Sequence, residues 1–242
     1  MENSPRPSFY ALPRGAWRDY VTLLHLPYTA WLMGYVVLGS ATAPVVHLDR
    51  VGWVTLAFFL AVGIGAHALD EYRGRPFHTS ISDRLLLVIG VAGIAGAIAV
   101  GVHASLVVSP WAAPFVVFGG FIVIAYNMEW FGGWFHNGLW FALAWGAFPP
   151  LAGYWANAKR LDPEAFAVAA ACFVLSIAQR TLSLQAKRLR RGSATVSGEI
   201  RLDDGTVEKI TISSLVSAPE MALGAMSAAV VLLSVGWLVA RV

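Results

Sequence analysis

Seven apolar runs, at about 21–43, 51–69, 85–108, 111–127, 137–157, 163–183 and 219–240, constrain this chain more than any other feature. About 20 apolar residues cross the hydrocarbon core of a bilayer as a helix. Inside that core only helices and closed barrels satisfy their own backbone groups. None of the runs has the alternation of a barrel strand. Small residues recur at close-packing spacing instead, as at Gly90, Gly93, Ala97 and Gly101. The predicted fold is therefore all-α, a polytopic transmembrane bundle of about seven helices. Its expected partner is the lipid bilayer, and its expected location the plasma membrane.

Composition agrees, with 57% hydrophobic and only 13% charged residues, where soluble domains carry about a quarter charged. The formal net charge of +3 does not point to nucleic acid, because the basic residues stand in short blocks beside apolar runs, as membrane anchors do. The single cysteine, Cys172, excludes a disulfide within the chain. Ala41-Thr42-Ala43 mimics a signal-peptide cleavage site. A leader with Pro5, Pro7 and Pro13, and His25 and Pro27 inside the first run, favour a retained span.

Positive charge sets the expected orientation, since Lys and Arg accumulate on the cytoplasmic side. With the N-terminus inside, 13 of the 17 Lys and Arg residues, Arg14 among them, fall on one side. The expected organisation is a cytoplasmic segment over 1–19 and one transmembrane domain over 20–242, with a cytoplasmic loop at 184–218. In that loop Val196 to Ile200 and Val207 to Ile212 flank Asp204-Gly205, a hairpin-turn signal, so a small β-hairpin is predicted after the sixth helix.

Three polar clusters carry the candidate chemistry. At the end of the second run, His67 and Asp70 stand three residues apart, on one face of a helix, with Glu71 adjacent. Such a set suits one divalent ion. Oxygen ligands favour magnesium and the imidazole admits zinc, manganese or iron. Pairing of the two acids with Arg73, Arg75 or Arg84 is the alternative. The second cluster is Gln179, Arg180, Gln185, Lys187 and Arg188. Stop-transfer cations of this kind contact anionic lipid, but Arg180 sits deepest and needs a carboxylate or phosphate partner. The third is Tyr126, Asn127 and Glu129, with His136 and Asn137, among Trp130, Trp134 and Trp140. This connector has no Lys or Arg, so a partner for Glu129 is expected from Arg180 or Arg73. His25 and His103 are expected to pack.

At these clusters the chain resembles the UbiA superfamily of intramembrane prenyltransferases, over about residues 15–195. Ala66-His67-Ala68-Leu69-Asp70 stands under that family's N-D-x-x-D motif, and Arg75-Pro76 and Ile81-Ser82 fit its trailing part. The passage from Ala125-Tyr126 through Asn137-Gly138 to Gly146, Pro150 and Gly153 is similar to the family's tyrosine-bearing connector and glycine-rich fifth helix. The resemblance implies a helical bundle around a cavity, where aspartate-rich loops hold a prenyl diphosphate through magnesium while an acceptor attacks the allylic carbon. This chain departs from the motifs: His67 replaces the first acid, Gly74 the third, and Gln179, Ser183 and Gln185 occupy the place of the second aspartate-rich loop.

The expected activity is prenyl transfer from an isoprenoid diphosphate or another lipid-soluble isoprenoid. The alternative is a non-catalytic isoprenoid-, quinone- or pigment-binding protein, or a subunit of a membrane complex. Asp70, Glu71 and Arg180 are the expected catalytic groups. His67, Arg73, Arg75, Tyr126, Asn127, Glu129, Gln179, Gln185, Lys187 and Arg188 are expected to bind substrate. One metal is expected at His67, Asp70 and Glu71, magnesium on the family's pattern. A transporter is disfavoured because no inverted repeat is evident. Oligomeric state is not legible.

Overall fold

The computed structural model describes residues 6–13, 15–192 and 195–242. Residues 1–5 of the predicted N-terminal segment, Arg14 among its orienting cations, and Ser193 and Ala194 of the predicted loop lie outside the described residues.

Among the described residues six helices are long and apolar enough to cross a membrane: Ala16–Thr42, Leu48–Gly74, Asp83–Val107, Pro110–Asn127, Pro163–Gly192 and Ile212–Val239. The first is α1 (Ala16–Leu23) and α2 (Leu26–Thr42), broken at His25, which takes a left-handed φ of 46° just before Pro27 opens α2. Proline suits that place because its missing N–H would have no partner there. The second is α3 (Leu48–Phe58), a π-helical stretch Phe59–Ala66, and α4 (His67–Gly74). It continues past the predicted end near residue 69, because the helix persists after the apolar residues stop. Asp70 and Glu71 therefore lie within the helix, not in a loop after it.

Ser82 opens α5 (Asp83–Val107), its hydroxyl accepting from Leu85 N. A 3-10 turn, Pro110–Ala112, leads into α6 (Ala113–Asn127). The interrupted turn α7 (Trp130–Gly133) follows, with Phe131 and Gly132 left-handed. The predicted run 137–157 is helical as α8 (Gly138–Phe141), a π stretch Ala142–Ala147 and α9 (Phe148–Ala158). It is not among the six, since Trp, Tyr and two prolines dilute its hydropathy. Next, α10 (Pro163–Lys187) continues through a π stretch Arg188–Gly192. The predicted hairpin is β1 (Glu199–Arg201) paired antiparallel with β2 (Val207–Lys209), Ile200 opposite Glu208. Finally α11 (Ile212–Val239) starts earlier than the predicted 219, because Thr211 and Ser214 form a reciprocal cap, and Pro219 is carried inside the helix.

Helix α2 is central, packed on α9 and α11. A Cβ on Gly39 would stand 2.0 Å from Pro150 O, and one on Gly153 2.2 Å from Val36 O. Only glycine lets these two backbones meet, the usual device of helices packing in lipid. Trp31, Tyr35, Cys172 and Val230 fill the space between α2, α10 and α11. Exposed apolar side chains such as Val88, Val91, Val117, Leu232 and Val239 cover the exterior, as a lipid-facing surface requires.

The ends of the bundle differ. At one, Asn157 Oδ1 accepts from His47 N at 2.8 Å, and Arg50 and Arg241 donate to main-chain carbonyls at the ends of α9 and α2. At the other, Asp19 accepts from Ser80, Arg191 lies over Phe77, and Arg190 donates to Arg6 O. The end of α4, the start of α1 and the end of α10 therefore meet at one arginine-rich end.

Candidate functional site

Asp70, on α4, is half-buried at the arginine-rich end. The charges that act on it most strongly are Lys187 and then Arg191, followed by Glu71 and His136. No hydrogen bond or ion pair among the described residues joins Asp70 to these cations. Two cations thus act on one carboxylate without bonding to it. Near Asp70, at the end of α6, the buried Tyr126 hydroxyl accepts from Arg180 Nη1 at 2.7 Å. The Arg180 guanidinium also lies over the Phe141 ring, 5.1 Å from its centre. Of the five donors of a guanidinium, one is so used. His136 completes the wall, its Nδ1 2.9 Å from Tyr126 O and its ring 4.5 Å from that of Tyr126.

Three segments predicted apart are thus brought to one recess: α4 through Asp70, the α6 to α8 connector through Tyr126 and His136, and α10 through Arg180 and Lys187. Chemically, the recess offers the held guanidinium of Arg180, the more exposed cations Lys187 and Arg191, a phenol and one carboxylate. A multiply charged anion suits it, since charge-assisted bonds to fixed donors are the strong ones.

Other expected site residues are engaged elsewhere. Glu71 is fully buried, and its two oxygens accept from Phe77 N at 3.0 Å and Thr79 N at 2.8 Å, closing the loop after α4. His67 is engaged by other groups: its Nδ1 lies 3.2 Å from Gly63 O, a second contact is to the Leu24 carbonyl, and its ring stacks on His25 at 4.0 Å. The expected metal trio is therefore not assembled, and no three His, Cys, Asp or Glu side chains among the described residues are grouped to hold an ion. Arg75 donates to Thr79 O and Ile81 O and pairs with Asp83, stitching the same loop. Glu129 pairs with Arg73 at 3.2 Å, both half-exposed, and not with Arg180. Asn127 donates to Val123 O one turn back on α6, Gln179 is buried on α10, Gln185 is exposed, and Arg188 opens the π stretch after α10.

Four residues outside the expected set border the recess. Arg190 is paired with Glu220 on α11, one contact 2.6 Å long, and Arg191 donates to Pro7 O at 3.1 Å. Tyr10 packs against His25, Tyr28 and Phe77, and burial there pushes its hydroxyl far above the usual tyrosine range. Glu220 carried a signal, as the one acid among the apolar residues of the last run. Tyr10 carried none, because aromatic residues near a membrane surface are commonplace.

A separate apolar cavity of about 250 Å³ lies between α3, α5, α6 and α9. Its lining runs from Val123 and Trp145 to Asp49, Arg50 and His103, toward the opposite end of the bundle. Trp145 also touches the Tyr126 ring, with centres 4.5 Å apart, so this side chain stands between the cavity and the polar recess.

No protein-family model, no curated protein and no solved structure matches the chain.

Proposed function

We propose that this protein is a divergent UbiA-like prenyl-transfer enzyme, which binds an isoprenoid by its anionic head group in the recess of Asp70, Tyr126, Arg180, Lys187 and Arg191. One observation carries the reading: Asp70, the Tyr126–Arg180 pair and Lys187, from three separate stretches of sequence, share one neighbourhood at the end of an apolar bundle. That end faces the cytoplasm, in line with the excess of Lys and Arg on its side. Trp145 closes the apolar cavity off from the head-group site, and that cavity takes up hydrocarbon once this ring turns aside.

In this reading the allylic carbon–oxygen bond breaks and its electron pair leaves with the diphosphate. Arg180, Lys187 and Arg191 stabilise the charge that develops there. An acceptor atom bonds to the allylic carbon and its proton passes to Asp70. The family's magnesium ions do not fit the three residues expected to hold them, because Glu71 and His67 are committed to backbone groups and Asp70 is left as the one uncommitted carboxylate of the three. Cations take the place of metal in this chain.

The same commitment of Glu71 and His67 favours a second reading, an isoprenoid-binding protein without chemistry. Incubation of the purified protein with farnesyl diphosphate, and mass spectrometry of the lipids that copurify, separates the two. Diphosphate release with a prenylated lipid product supports transfer. A bound isoprenoid that is never consumed supports the second reading, and neither outcome leaves the head-group site without an occupant. Absence of both binding and turnover removes it.

A further inference from the structure

The described part of the N-terminal segment crosses the arginine-rich end and is fastened to the groups that border the recess. Arg190 Nη1 donates to Arg6 O at 3.4 Å and Arg191 Nε to Pro7 O at 3.1 Å. Tyr10 is seated in a ring of aromatic groups, 5.4 Å from Tyr28, 5.7 Å from His25 and 5.9 Å from Phe77 between centres. Leu12 N donates to Thr22 Oγ1 at 3.1 Å, Ser8 is 8% exposed and Ala11 1%. A short segment so held is not a loose tail.

Its position matters because of what lies beneath. The crevice lined by Pro7, Tyr10, Tyr28, Lys187, Arg190 and Glu220 has a volume of about 10 Å³. That is room for about one water molecule, and none for a phosphate group. Arg191, one of the two cations nearest Asp70 in effect, spends a donor on the Pro7 carbonyl. A neutral carbonyl is a weaker partner for a guanidinium than a phosphate oxygen, since charge-assisted bonds are roughly twice as strong.

From this we infer that residues 6–12 form a strap that closes the recess by occupying its guanidinium groups, and that an anionic phosphate or diphosphate head group opens it by taking those donors. The inference rests on the proposed head-group site and adds its regulation: the ligand competes with the protein's own backbone. Charges facing the strap are Arg190, Arg191 and Lys187 from α10 and its extension and Glu220 from α11.

The strap is tested on the full chain carrying Ser8→Cys, with alkylation by a maleimide as the readout; the native Cys172 is 2% exposed and stays silent. Labelling is expected to be slow in detergent and to accelerate on adding inorganic diphosphate, or in nanodiscs of phosphatidylglycerol over phosphatidylcholine. Acceleration by diphosphate alone assigns the strap to a soluble or substrate phosphate, and acceleration in phosphatidylglycerol to a membrane lipid. Tyr10→Ala, which removes the aromatic seat, is expected to raise the unliganded labelling rate and diphosphate affinity roughly fivefold. Thr22→Val, which removes the Leu12 anchor, should shift both in the same direction and guards against a folding defect in the first variant. Calorimetric titration with diphosphate keeps the two ideas apart. Binding without accelerated labelling overturns the strap and leaves the head-group site standing, whereas absence of binding overturns both.

Discussion

Asp70 and Glu71 are neighbours in sequence with opposite fates. Glu71 accepts two backbone N–H groups in a fully buried position, whereas Asp70 faces cations without bonding to them. Loss of two charge-assisted bonds, with two buried donors left unmet, costs about 3 kcal/mol. Glu71→Ala is therefore expected to lower thermal stability in detergent markedly, and Asp70→Asn to leave it nearly unchanged while altering ligand binding. Equal losses from the two substitutions would contradict this division. Tyr126→Phe removes the acceptor that holds Arg180 and should weaken binding of a prenyl diphosphate by about 1 kcal/mol, or roughly fivefold. At this scale the sequence was a partial guide. It singled out Asp70, Tyr126, Arg180 and Lys187, which lie near one another, together with His67 and Glu71, which are engaged by backbone groups, because helical spacing places residues on a face without telling whether backbone groups will claim them.

At the scale of elements, hydropathy located the helices and misplaced their ends. The second helix runs on to Gly74 and the last begins at Ile212, because a helix persists on capping and propensity after its apolar residues stop. The π stretches at Phe59–Ala66 and Ala142–Ala147 were invisible to periodicity, yet they lead into α4 and carry Trp145. Such stretches recur at functional sites. Contacts between distant glycines were equally hidden. Gly39→Ala and Gly153→Ala would each force the α2 and α9 backbones apart, and a loss of about 1–3 kcal/mol is expected for either, while Gly236→Ala, with open space around it, should be tolerated. In the hairpin, Thr206 N donates to Asp204 Oδ1 at 2.8 Å and holds that carboxyl below its usual range. A depressed carboxyl contributes stability above its unfolded value, near 4, and loses it as pH falls through the folded one. Exchange of the Thr206 amide should therefore accelerate relative to Ile200 as pH is lowered below about 4; an unchanged ratio would count against the turn.

For the molecule as a whole, the multi-pass helical character was legible because lipid leaves a chain few options. The meeting of α4, the α6 to α8 connector and α10 at one end was not, since contacts such as Arg180 with Tyr126 and Arg191 with Phe77 span long stretches of chain. Nor was the second polar edge at Asp49, Arg50 and His103, with the apolar cavity beneath it, separated from the recess by Trp145. The most direct measurement is equilibrium binding of farnesyl diphosphate to the purified protein in EDTA, compared with the same titration in magnesium. Binding should survive the chelator and weaken at least about tenfold in Arg180→Ala and in Lys187→Ala, the equivalent of one charge-assisted contact. Binding that vanishes in EDTA, or that neither substitution alters, would contradict a head-group site built from cations.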